Sequence, residues 1–206
     1  MGNKRILLET EKYYHVYNHG NSKDNIFLNE ANYMFFLNKF NKYISPIAHT
    51  LAYCLMPNHF HFLIQIKSKN IINKAFTKTD NKTRKVSKTL RVYSTTEIIT
   101  QQFSNFFNSY TKAFNKQNNR MGSLFLDNFK RKNIDTEDYL KRTIIYIHQN
   151  PVNHGFCKNV DNWKFSSYNS IISDKSTNLK REEVISLFED VDNFIYCHKI
   201  DPDIKI

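Results

Sequence analysis

Between Thr50 and Ile66 the chain carries two apolar runs on either side of a Met56-Pro57-Asn58 break. Thr50 to Leu55 reads as a strand, Pro57-Asn58 as a turn or kink, and His59 to Ile66 as the next strand. Side chains alternate across a strand, so Phe60, Phe62 and Ile64 point to one face, toward a core, and His59 and His61 share the other. Lys12 to Asn18 alternates in the same way, with Tyr14, Val16 and Asn18 on one face and Tyr13, His15 and Tyr17 on the other. His19-Gly20-Asn21-Ser22 ends it as a turn. Between these strands Asn29 can cap a helix running to about Ser45, buried along Tyr33, Phe36, Leu37, Phe40 and Tyr43 and ended by Pro46. The strand–helix–strand–strand order predicts an α+β sandwich with helices on one side of a mostly antiparallel sheet.

Downstream the composition shifts. Lys67 to Arg91 holds nine Lys/Arg against the single acid Asp80, with few large apolar residues. The stretch 67–95 is expected to be a mobile basic excursion. Thr96 can cap a helix from about Glu97 to Asn118, with Ile99, Phe103, Phe106, Phe107, Tyr110 and Phe114 as its apolar set. Ser123 to Ile134 reads as a strand, or a strand plus a loop, and carries Lys130, Arg131 and Lys132. A helix follows Asp135-Thr136-Glu137-Asp138 to about Gln149, where Asn150-Pro151 stops it. Asp161 to Ile172 reads as a compact packed segment, Arg181 to Phe188 as a short helix, and the last dozen residues as an extended tail.

Charge and cysteine usage bound the function classes. The 206 residues suit one domain with a small extension, and 40% hydrophobic with 15% aromatic residues suffices for a core. A net charge of +11, from 30 Lys+Arg against 19 Asp+Glu, favours a polyanionic partner such as nucleic acid over a protein that is merely basic. Cys54, Cys157 and Cys197 are odd in number and widely spaced, which argues against a disulfide framework or a cysteine zinc site. No run approaches the ~20 apolar residues of a membrane helix, and Met1 to Thr10 lacks the apolar centre of a signal peptide. A cytoplasmic protein without a membrane partner is expected.

Two stretches carry chemistry. Neighbouring imidazoles on one strand face, His59 and His61, can ligate one divalent ion; the plain alternative is two unrelated surface histidines. A metallohydrolase of the His-x-His-x-Asp-His kind is disfavoured, because Phe62, Leu63 and Ile64 cannot ligate. Tyr146 and Asn150 lie four residues apart, on one side of a helix. The Asn150 amide oxygen could complete a hard-cation site with the two histidines. That neutral donor set would leave the ion its full charge for polarising a phosphate oxygen. Tyr146 would then be a nucleophile beside a metal, a combination that points to DNA strand cleavage. The plain alternative is a half-buried core tyrosine, one of 12 in the chain. Tyr110 is the rival nucleophile, but Phe114 stands where an amide partner is needed; Tyr139 has only Thr143.

The joint pattern resembles the single-tyrosine HUH transposases (His, a hydrophobic residue, His), and within them the REP-associated tyrosine transposases. The residues that carry the resemblance are Leu55-Met56-Pro57-Asn58 before His59-Phe60-His61, Tyr14-His15-Val16-Tyr17-Asn18-His19-Gly20-Asn21, the Tyr146…Asn150-Pro151-Val152-Asn153-His154-Gly155 run, and Trp163-Lys164-Phe165-Ser166-Ser167-Tyr168. It runs from about residue 12 to 172. It implies a ferredoxin-like α+β fold whose central antiparallel sheet carries the His-x-His strand, with helices packed on it. It implies a catalytic domain over residues 1–172, leaving 173–206 as a C-terminal extension of unnamed role. It implies a Mg²⁺ or Mn²⁺ site of His59, His61 and Asn150, and Tyr146 as the nucleophile that cleaves and rejoins single-stranded DNA through a 5′-phosphotyrosine link. Hairpin DNA is the implied partner, and a monomer or homodimer the implied assembly. Lys130, Arg131 and Lys132 are candidates for DNA backbone contacts, as are the lysines and arginines of the basic excursion, which otherwise reads as a solvated loop. Three other readings stand beside this one: a non-catalytic hairpin-DNA binder of the same fold, an HUH replication-initiation nickase, and a metal-dependent hydrolase with a water nucleophile.

Overall fold

A computed structural model describes residues 6–77 and 93–200. Strand β1 spans Tyr13–His19, helix α1 Glu30–Tyr43, β2 Ala48–Met56 and β3 His59–Ile66. Helix α2 (Lys69–Thr77) and the long α3 (Thr95–Gln117) precede β4 (Lys130–Ile134). Helix α4 (Glu137–Asn153) follows, then the short α5 (Tyr168–Ile172), α6 (Arg181–Leu187) and α7 (Val191–Ile200). The strands form one antiparallel sheet in the order β2-β3-β1-β4, so the His-x-His strand lies inside it. The β1-α1-β2-β3-α3-β4 succession with that order is the ferredoxin-like α+β arrangement.

Alternation along the strands divides the molecule into two cores. Tyr14, Val16, Phe60, Phe62 and Ile64 face α1 and α3, where Phe36, Phe40, Phe103, Phe106, Tyr110 and Phe114 meet them. Each such side chain, fully buried, contributes about 1.5–3 kcal/mol. The expected stripes of α1 and α3 are therefore the ones that pack. The expected single helical layer holds for α1 and α3 only. Leu51, Ala52, Cys54, Met56 and Leu63 face the other way, against Ile144 and Ile147 of α4 and against Val184, Phe188 and Phe194 from α6, α7 and the turn between them.

Several boundaries differ from the sequence expectation. The cap of α3 is Ser94, two residues before Thr96: its side chain accepts from the Glu97 N–H, and Glu97 returns a bond to the Ser94 N–H. The first part of the basic excursion is helical (α2), because Ile72 anchors it in the first core; residues 78–92 lie outside the described ones. Helix α4 does not stop at Gln149 but continues through Pro151 to Asn153. A proline costs a helix its bond to the carbonyl four residues back; here Pro151 is buried, and packing carries the last turn through it. Of the last dozen residues, expected as an extended tail, those up to Ile200 belong to helix α7, because Phe194 and His198 insert into the second core; residues 201–206 lie outside the described ones. Lastly, the Trp163–Ser167 segment closes the outer edge of β2. The Leu55 N–H donates to the Phe165 carbonyl, the Trp163 indole N–H to the Leu55 carbonyl, and the Ser167 N–H to the Tyr53 carbonyl.

Candidate active site

The site begins with a turn held from beneath. The Gly20 N–H donates to the Asn58 carbonyl at 2.7 Å, and the Ile26 and Phe27 N–H groups both donate to the Pro57 carbonyl. Glycine is required at position 20: a Cβ there would lie 2.1 Å from the Asp24 carbonyl oxygen. The turn presents Asn58, whose Oδ1 lies 2.7 Å from His59 Nδ1. With the amide oxygen turned to the ring in this way, the His59 proton belongs on Nδ1 and Nε2 keeps a bare lone pair.

That lone pair faces another acceptor. Asn150 Oδ1 is 3.4 Å from His59 Nε2, and the amide cannot simply be turned over, because Asn150 Nδ2 donates to the Tyr146 carbonyl at 3.1 Å. Both side chains are buried. Two acceptors confronting each other in a buried space repel unless a proton or a cation lies between them. A proton is disfavoured: burial, with His19 and His154 adding like charge, outweighs the Asn150 oxygen and holds the His59 pKa down at about 4. His61 is held well below its usual value, first by burial and then by His15 and the other histidines around it. The donor chemistry therefore fits a divalent cation, with His59, His61 and Asn150 as the side chains to hold it. Among the described residues no three His, Cys, Asp or Glu side chains form a metal group, so such a site would depend on the carboxamide.

Helix α4 brings Tyr146 into the same place. Its half-buried ring meets the edge of His61 at 5.5 Å between centroids and that of His15 at 6.0 Å. Tyr110 is elsewhere. It is 1% exposed in the first core, on the far side of the sheet, with its hydroxyl bonded to the Ile26 carbonyl. Burial pushes its pKa up. Tyr139 lies partly buried against the second core.

Strand pairing supplies residues that sequence reasoning passed over. Opposite residues of an antiparallel pair share a face. Tyr17 stands opposite His61 and His19 opposite His59, and His15 reaches diagonally to place Nε2 at 2.8 Å from His61 Nδ1. The His19 and His59 rings stack at 5.0 Å, and the His154 ring meets His59 edge-on at 5.1 Å. The signal was the two-residue spacing of His15, Tyr17 and His19, read together with the pairing. In β4, Lys132 stands opposite His15 and Lys130 opposite Tyr17, on the site's face. Arg131 stands opposite Val16, on the other face, with its guanidinium 4.6 Å from the centre of the Phe129 ring.

No family model matches the chain. A curated protein of Haemophilus influenzae named "Putative REP-associated tyrosine transposase" is 29% identical over 122 residues, 58% of this chain and 58% of that protein. The match thus spans less than two thirds of the relative's length. A solved structure described as a REP-associated tyrosine transposase bound to a REP hairpin superposes with a TM-score of 0.55 at 15% identity, over 84% of this chain and 86% of the other. This chain resembles the REP-associated tyrosine transposases. With that structure the likeness is one of fold. With the Haemophilus relative of the REP-associated tyrosine transposases it is one of sequence.

Proposed function

We propose that the chain is a metal-dependent transposase that cleaves and rejoins single-stranded DNA, with hairpin DNA as the substrate it recognises. The observation that carries the reading is the pair of facing acceptors, His59 Nε2 and Asn150 Oδ1, one helical turn from Tyr146. A Mg²⁺ or Mn²⁺ ion held by His59, His61 and Asn150 would polarise a non-bridging phosphate oxygen. The chain's own part is placement. The Asn150 carboxamide is oriented by its bond to the Tyr146 backbone carbonyl, and one helix carries both side chains to the phosphate.

In the reaction the Tyr146 hydroxyl oxygen attacks phosphorus and gives up its proton to solvent. The bond to the 3′-oxygen breaks, that oxygen takes a proton, and the 5′-phosphate stays on the tyrosine. A 3′-hydroxyl can later attack the phosphotyrosine and reseal the strand, because the phosphodiester's energy is kept in the link. Lys130 and Lys132, on the site's face of β4, are placed for the DNA backbone. The +11 net charge and the hairpin named in the solved relative's description support the same partner.

The test is covalent trapping. Labelled single-stranded DNA from the gene's flanks, incubated with protein and Mn²⁺, is expected to give a denaturation-resistant labelled band. Tyr146→Phe should lose the band while keeping hairpin binding. An adduct that persists in the variant would overturn the assignment. Binding with no adduct under any metal would favour the non-catalytic hairpin binder.

A further inference from the structure

We propose that His15 is a positioning residue of this site, selecting which ring nitrogen of His61 is free to ligate. The inference rests on the cation-site reading above and concerns a residue outside the ligand set. A single proton lies in the His15 Nε2–His61 Nδ1 contact at 2.8 Å. If that proton is on His61 Nδ1, then His61 Nε2 is a bare lone pair, and His15 carries its own proton at Nδ1. If it is on His15 Nε2, then His61 carries a proton at Nε2 and cannot ligate through it. The two rings change tautomer together, because each neutral imidazole holds one proton.

The second nitrogen of His15 is unsatisfied in either arrangement. His15 Nδ1 is buried without a hydrogen-bond partner. In the ligating arrangement this atom is an N–H with no acceptor, an unfavourable state that something must offset. A cation at His61 Nε2 is such an offset. His15 is thus the acceptor that lets His61 present Nε2, in a ring whose position is fixed by stacking on Tyr17 at 4.8 Å between centroids. A ligating histidine held through its other nitrogen is worth about 10–100-fold in metal affinity. Phenylalanine at position 15 would fill the space but accept nothing. Glutamine would return an oxygen near the place of Nε2.

The experiment measures Mn²⁺ affinity, without DNA, for the wild-type chain, His15→Phe, His15→Gln and His61→Ala. Ring ¹⁵N NMR of the wild type with and without Mg²⁺ accompanies it. His15→Phe is expected to weaken Mn²⁺ binding about 10–100-fold, His15→Gln to recover part of the loss, and Mg²⁺ to leave the His61 proton on Nδ1. Wild-type affinity in folded His15→Phe, with binding lost in His61→Ala, would overturn the role of His15 and leave the cation site standing. Equal binding by the wild type and His61→Ala would overturn the site itself. Should His15→Phe fail to fold, a His61 proton that stays on Nε2 in saturating Mg²⁺ overturns the proposal.

Discussion

Two tyrosines on two helices differ in burial, which residue type does not reveal. Tyr110 donates from the first core to the Ile26 carbonyl, whereas Tyr146 lies half-buried against His61. Tyr110→Phe would leave that carbonyl unpaired. It is expected to cost about 1–3 kcal/mol in a urea melt and to leave adduct formation unchanged; loss of the adduct at full stability would reopen the nucleophile assignment. Part of this was legible in the sequence. The four-residue spacing to Asn150 favoured Tyr146, and Phe114 disfavoured Tyr110. The confrontation of His59 Nε2 with Asn150 Oδ1 was not legible. It depends on Asn58 taking one imidazole proton and on the Tyr146 carbonyl orienting the amide, and neither follows from spacing. His15 was visible as a residue of the right strand face, but its reach to His61 needed the register.

At the scale of elements, α4 is gripped from both sides. Toward the sheet it offers Tyr146 and Asn150. Behind them a hydrogen-bonded chain crosses the second core. His198 Nδ1 lies 2.7 Å from the Phe194 carbonyl and so holds its proton there, which leaves His198 Nε2 to accept from His148 Nδ1 at 2.9 Å. His148 Nε2 then accepts from the Ser167 hydroxyl at 2.7 Å. Three elements far apart in sequence meet in that line: the edge-closing segment, α4 and α7. His198→Ala should destabilise the chain by about 2–4 kcal/mol and speed amide exchange along α4; unchanged exchange would mean that α7 does not hold the helix. The sequence signalled the strands and α1 and α3 through their regular apolar spacing. It hid α7, whose burial depends on a surface built from other elements. It also misplaced the end of α4, since Asn-Pro reads as a stop unless packing carries the helix through.

For the molecule as a whole, neutral buried histidines make stability depend on pH. Burial holds His198 at about 4 and His148, with His198 adding like charge, well below the ordinary 6.5. Below about 6.5 the unfolded chain takes up protons that the folded chain refuses. Stability is therefore full above that pH and declines as the pH falls toward 4, at up to about 1.4 kcal/mol per unit for each such histidine. Urea melts at pH 7, 6 and 5 should show midpoints falling together; a flat profile would contradict the buried neutral state. With a net charge of +11, hairpin binding should weaken linearly in log–log plots against salt, as titrations at several ionic strengths would record; insensitivity to salt would argue against phosphate contacts. A last consequence concerns time. His59 and Asn150 are 91 positions apart. At a synthesis rate of roughly 5–20 residues per second, the ribosome takes on the order of 5–20 seconds to pass from one to the other. For nearly all of that interval the emerging polypeptide has its paired histidines but neither the tyrosine nor the carboxamide. On the proposed chemistry, an unfinished chain could touch DNA without being able to cut it.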